Sequence, residues 1–154
     1  MSVINSDIKV LVKNRNHISR LVSGLTENQF FKILPGYKTN LLWNIGHLTS
    51  TSQILLYNLS GINAHVDEEY LSHFRKGSSP ENWVKPPEVK EVLRLFLDLG
   101  DQVKVDYESD LFSNFKSYTT SIGVTLENIQ DALAFNNYHD GMHTGIIQCM
   151  LKSL

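Results

Sequence analysis

The sequence predicts an all-α protein, a four-helix bundle built as one domain over residues 1–154. Three observations carry this. Four segments space their apolar residues three and four apart, as amphipathic helices do, and none sustains the apolar–polar alternation of a strand. Each segment has one apolar stripe, and four such stripes are buried most simply against one another. No repeat, low-complexity tract or linker divides the chain, and 154 residues bury roughly two thirds of their unfolded surface without disulfides or a structural metal.

The first helix is expected to start at Ser6 as N-cap and to end at Gly24, with Ile8, Leu11, Ile18, Val22 and Leu25 as its stripe. Arg15 interrupts that stripe and is expected to snorkel from its border, or else to face a substrate as a cation. The second helix follows the Pro35-Gly36 turn, is capped by Thr39 or Asn40, and runs through Trp43, His47 and Ile54 to Tyr57, before Gly61. The third opens at Pro86-Pro87-Glu88, with proline at the first turn and an acid at the positive end of the dipole. Its inner face is Val89, Val92, Phe96, Leu99 and Val103. The fourth is expected to begin after Thr125 as N-cap, and its inward positions are Ile129, Leu133, Asn136, His139 or Asp140, His143, Ile146 or Ile147, and Met150. The connections between helices two and three (59–85) and three and four (110–124) are long, and long segments in compact domains are usually functional loops or crossovers. Within the first, the segment EEYLSHFRKGSSPENW is expected to contain a short helix and then a turn at Gly77 to Pro80.

Composition narrows the function classes. With 42% hydrophobic and 19% charged residues, and 14 basic against 16 acidic side chains, the chain reads as an ordinary globular protein. It has no basic run to recruit nucleic acid or an anionic membrane, and neither partner is expected. No apolar run approaches the roughly 20 residues of a membrane-spanning helix. One cysteine, Cys149, and an opening MSVINSDIKV without a secretory apolar stretch predict a reducing, cytoplasmic setting. Cys149 is expected to be a packed hydrophobe.

The chemistry-bearing residues are histidines. In FNNYHDGMHTGIIQ, His139 and His143 are four apart, so they leave one helix face a turn apart, close enough to share an ion. They lie on the apolar stripe, where an imidazole without a partner costs roughly 1–3 kcal/mol. They must therefore hydrogen-bond to a neighbouring helix or bind a metal. His47, in WNIGHLTSTSQ, supplies a third imidazole from another element, and three converging histidines match the open arrangement that leaves a coordination position for water or substrate. Asn136 and Asp140 are the candidates for orienting those rings from behind, or else a surface amide and acid. Gly46 allows a neighbour to approach closely. Gly141 and Gly145, each costing about 1 kcal/mol relative to Ala in a helix, suggest close packing against another helix or chain. His17, His65 and His73 are expected at the surface, and Tyr57, Tyr107, Tyr118 and Tyr138 as pocket lining or core.

The runs WNIGHLTSTSQILLYNLSG and ALAFNNYHDGMHTGIIQCM, with the intervening FRKG loop, resemble the DinB-like family, which includes YfiT-like metal-dependent hydrolases. The likeness spans essentially the whole chain. It implies a four-helix bundle, often a homodimer, that holds a divalent ion such as Zn or Ni on one histidine of the second helix and two of the fourth; here those are His47, His139 and His143. Relatives often have Glu where this chain has Asp140, and G-Q-I where it has Gly145-Ile146-Ile147, which shortens one acid behind the ligands and removes no ligand. Characterised members include bacillithiol- or glutathione-using thiol transferases and a mycothiol-dependent maleylpyruvate isomerase. The resemblance thus implies a metal-dependent enzyme acting on a small-molecule substrate, a low-molecular-weight thiol transferase or a metal-assisted hydrolase. The alternative is a non-catalytic, stress-related bundle that binds metal or dimerises.

Overall fold

In the computed structural model, which describes residues 3–154, the chain is mainly helical, and four long helices do most of the packing. The first two residues of the opening segment lie outside the described residues. Helix α1 (Val3–Val22) presents Ile8, Leu11, Ile18 and Val22 to the core. It is already helical before Ser6, so Ser6 is not its cap: a capping preference of about 1 kcal/mol is too weak to stop a helix that upstream residues can extend. A five-residue helix, α2 (Glu27–Phe31), has no counterpart among the four expected helices because one turn is too short to show periodicity; Gln29 reaches back to accept from the Thr26 N–H at 2.9 Å.

Helix α3 (Leu41–Ser52), the predicted second helix, is buried at every position except Thr51. Of the two candidate caps it uses Asn40, whose side chain accepts from the Trp43 N–H at 2.8 Å. It continues as a π-helical turn (Gln53–Tyr57) and a 3₁₀ turn (Asn58–Ser60), and stops at Gly61, whose φ of 73° needs a residue without Cβ strain. The expected short helix is α4 (Glu68–Phe74), with Asp67 capping the Tyr70 N–H, and the chain turns at Gly77 (φ 88°) into a 3₁₀ turn at Pro80–Asn82. Helix α5 (Val89–Glu108), the predicted third, buries Val92, Phe96, Leu99 and Val103.

A two-residue antiparallel pair, β1 (Tyr118–Thr119) with β2 (Thr125–Leu126), follows. Thr125 therefore sits in a strand and is not the cap of the last helix. Asn128 is that cap, accepting from the Asp131 N–H at 2.9 Å and starting α6 (Ile129–Leu151) three residues later than expected. A β-branched residue fits an extended segment, and Asn is the stronger cap. Of the paired inward positions on α6, Asp140 and Ile147 are the fully buried members. Cys149, expected to be packed, is exposed. No helix among the described residues is long and apolar enough to cross a membrane.

Helix α1 lies against α5 and α6, and α3 lies against the same two. At their centre is Arg15, 1% exposed. It does not snorkel. Its Nη1 donates to the Phe96 carbonyl at 2.9 Å, and its Nη2 donates to Ser52 Oγ at 2.8 Å and to the Leu48 carbonyl at 3.4 Å. Its Nε is 3.9 Å from Asp140 Oδ2, and the guanidinium lies 5.0 Å from the Phe96 ring centroid. Gly100 makes room for it, since a Cβ there would stand 2.7 Å from Arg15 Cδ. Four partners from three helices can retain a guanidinium that the apolar stripe alone would expel.

Candidate metal centre

His47 leaves α3 and His139 and His143 leave α6, and the fold brings the three together. Their ligating nitrogens all lie within 4.8 Å of one another, and the ring centroids are 4.6 to 5.0 Å apart. Nε2 of His47 and Nε2 of His139 face each other at 3.2 Å. Two nitrogens bound to one tetrahedral ion at about 2.0–2.1 Å would stand roughly 3.3 Å apart.

The protonation pattern suits a cation. Burial pushes the His139 pKa down to about 3 and that of His143 to about 4, the neighbouring rings adding repulsion, and burial also lowers His47. All three are neutral at pH 7, so each has a lone pair to offer. The tautomers follow from the partners. His47 Nδ1–H donates to the Phe74 carbonyl at 2.6 Å, which leaves the lone pair of its Nε2 free toward the other rings. Asn44 gives its amide protons to the Asn40 carbonyl at 2.8 Å and Thr39 Oγ1 at 3.1 Å, so its oxygen is what faces His143 Nδ1 at 2.8 Å, and again Nε2 is free. His139 Nδ1 is buried and makes no hydrogen bond, and its Nε2 meets the His47 lone pair. Without an ion, one proton between the two facing nitrogens makes an N–H···N bond and leaves His139 Nδ1 as the orphan; moving that proton to Nδ1 would free both Nε2 lone pairs for a common ion.

Gly46 does what its position suggested. A Cβ there would come within 2.6 Å of Phe74 Cγ and closer still to the ring's edge, so the absent side chain lets Phe74 lie on the α3 backbone and aim its carbonyl at His47. Trp43 stacks on His47 at 4.5 Å between centroids, 15° from parallel, and its Nε1–H donates to Ser78 Oγ at 2.8 Å, which ties the loop after α4 to α3.

Asn136 and Asp140 are both buried, yet they do not hold the rings. Asn136 has no hydrogen-bond partner among the described residues, and Asp140 faces Arg15. Asp140 is one residue past His139, about 100° around the helix, and so points toward α1 instead of the ligands. Burial pushes its carboxyl up to about 7 while the Arg15 guanidinium pulls it down. The orienting groups are Asn44 and the Phe74 carbonyl. Asn44 was legible in principle, being three residues before His47 on one face; a backbone carbonyl 27 residues away was not. His65 is exposed but tied to Asp106 at 3.4 Å and to the edge of Tyr57, and His17 and His73 are partly buried, all outside the cluster. Tyr57 is core, donating to Asp106 Oδ2 at 2.7 Å, and Tyr107 packs half-buried against the apolar core around Tyr57, whereas Tyr118 lines the site and Tyr138 is exposed. A Cβ added at Gly141 or Gly145 would meet nothing within 4 Å, so among the described residues these glycines pack against no other part of this chain.

The three rings stand in a cleft of about 460 Å³ whose other walls include Trp43, Ile54, Phe135 and Met142 and the hydroxyls of Thr51 and Thr120. No curated protein sequence matches the chain significantly. A family model described as the DinB superfamily matches residues 11–147, a span that takes in all three histidines and most of every long helix. The chain therefore belongs to the DinB superfamily.

Proposed function

We propose that this protein holds a divalent ion, Zn or Ni, on His47, His139 and His143 and uses it to transfer a low-molecular-weight thiol onto an electrophilic small molecule in the cytoplasm, on a scaffold read as a four-helix bundle. The observation that carries the reading is the convergence of three neutral imidazoles, with ligating atoms within 4.8 Å, in the wall of a mainly apolar cleft. A divalent ion supplies the charge that makes a thiol or water nucleophilic near neutral pH. The chain's own residues do the rest. Asn44 and the Phe74 carbonyl fix the tautomers, Trp43 and Phe135 take up a carbon skeleton and exclude water, and Thr51 and Thr120 offer hydroxyls to a polar end. Metal-assisted hydrolysis is the second enzymatic reading. Thiol transfer is favoured because no carboxylate among the described residues lines the cleft as a proton acceptor, and a thiol on a metal needs none.

The experiment is metal analysis and turnover of the wild type and of His47→Ala, His139→Ala and His143→Ala. We expect one ion per wild-type chain, its loss in each folded variant, and thiol consumption with an electrophile panel that disappears with the metal. Stoichiometric metal without turnover over broad panels of thiols, electrophiles and esters would favour the non-catalytic binding protein. We further propose a homodimer formed through the outer face of α6, where Tyr138, Gly141 and Gly145 are exposed. Sedimentation equilibrium showing only the 17.5 kDa species at micromolar concentration would remove it.

A further inference from the structure

Arg75 and Lys76 directly follow Phe74, whose carbonyl accepts the hydrogen bond of His47 Nδ1–H. Both are exposed, and both line the cleft that contains the three histidines. Among the described residues neither forms an ion pair, and no Asp or Glu lines that cleft. They also border a neighbouring depression whose single acid, Glu69, pairs with neither. A solvated turn commonly carries two such cations. This turn is different because its backbone is anchored to a ring of the site and its side chains form the wall of the same cleft. Two unpaired cations beside a low-dielectric wall concentrate anions, and Arg offers a carboxylate two parallel N–H donors.

We infer that Arg75 and Lys76 set the substrate class of this cleft by holding the anionic end of a carboxylate-bearing small molecule whose apolar body lies against Trp43, Phe135 and Met142. The inference rests on the reading of the three-histidine cleft as a small-molecule metal site. The cations lie on the α4 side of the cleft, and Phe135, Met142 and the hairpin residue Tyr118 come from the α6 and β1 side, so a bound molecule spans the histidines between them. Polar contacts at one end and carbon contacts at the other select an amphiphilic anion over a neutral molecule of the same shape.

The test is calorimetric titration of the zinc-loaded protein, and of chelator-treated protein, with phenylacetate and with its uncharged isostere phenylacetamide. Arg75→Gln, Lys76→Gln and the double variant are titrated in parallel, and zinc content is measured for each sample. In the wild type we expect phenylacetate to bind more tightly than the amide, with a preference that weakens as salt screens the exposed cations. Each single substitution should reduce the preference about threefold and the double about tenfold. Zinc content should not change. A preference that survives in the double variant would place the carboxylate on the metal and overturn the assignment, as would equal binding of the two compounds by the wild type. Absence of zinc from the wild type would instead defeat the metal reading, and the chelator-treated titration would still report whether the two cations select the anion.

Discussion

Gly46→Ala tests whether the contact of α4 with α3 builds the site. A Cβ at position 46 would sit within 2.6 Å of Phe74 Cγ, well inside the roughly 3.5–4.0 Å at which carbons normally meet. The ring cannot easily retreat, because Tyr70 lies 4.7 Å and Trp83 5.6 Å from it between centroids. Overpacking of this kind costs about 1–3 kcal/mol, against about 1 kcal/mol gained when Ala replaces Gly in a helix. With the ring hemmed in, the net loss should be about 2 kcal/mol, or a fall of about 4–8 °C in Tm for a chain this long. A displaced Phe74 also carries its carbonyl away from His47 Nδ1, and loss of such a partner typically lowers metal affinity by about 10- to 100-fold. Gly141→Ala is the control: within the chain its Cβ would meet nothing within 4 Å among the described residues, so at a dilution where the protein is monomeric the helix-propensity gain stands alone and Tm should rise by about 2–4 °C. Thermal melts of metal-free protein and zinc titrations against a competing chelator read both quantities. If Gly46→Ala melts with the wild type and keeps its zinc affinity, α4 does not position His47 in the way the packing indicates.

Arg15→Met should destabilise the protein by about 3–5 kcal/mol, because it leaves Asp140 buried without its counter-charge, and Arg15→Met with Asp140→Leu should recover most of the loss. Denaturant midpoints decide; a single variant costing less than about 1 kcal/mol would point to an arginine at the surface border after all. Metal-free protein should lose stability as pH falls below 6.5. The site histidines have pKa values depressed from 6.5, to about 3 for His139 and about 4 for His143, so in that window the unfolded chain takes up protons that the folded chain refuses, whereas above it both states are neutral and the histidines contribute nothing. Asp140, raised to about 7, acts with the opposite sign, one group against three. Urea midpoints measured between pH 7 and pH 5 that stay level or rise would contradict this. Zinc loading should keep or steepen the dependence, since the ion holds protons off the folded nitrogens while the unfolded chain still takes them up.

Periodicity and capping chemistry were enough to find the four long helices, the buried stripe of α6 and the three histidines. Those signals are local: a residue's place on a helix face depends only on its neighbours three and four along the chain. The same local logic misplaced the starts of α1 and α6, where competing caps differ by about 1 kcal/mol, and overlooked α2 and the hairpin, each too short to show a period. Arg15 was misread because one helix cannot reveal the carbonyls and hydroxyl that two other helices bring to it. Gly46 and Gly141 looked alike in sequence, and only packing separates a glycine pressed by Phe74 from one facing open space.

The sequence by itself determined which residues are candidates to hold an ion, because imidazole lone pairs and the four-residue repeat of a helix are properties of composition and spacing. Only the tertiary structure decided that Asn44 and the Phe74 carbonyl orient the rings while Asp140 turns away to Arg15, and that Arg75 and Lys76 border the cleft. Asn44 and His143 alone are 99 residues apart along the chain, and relations at that range are set by how whole helices pack.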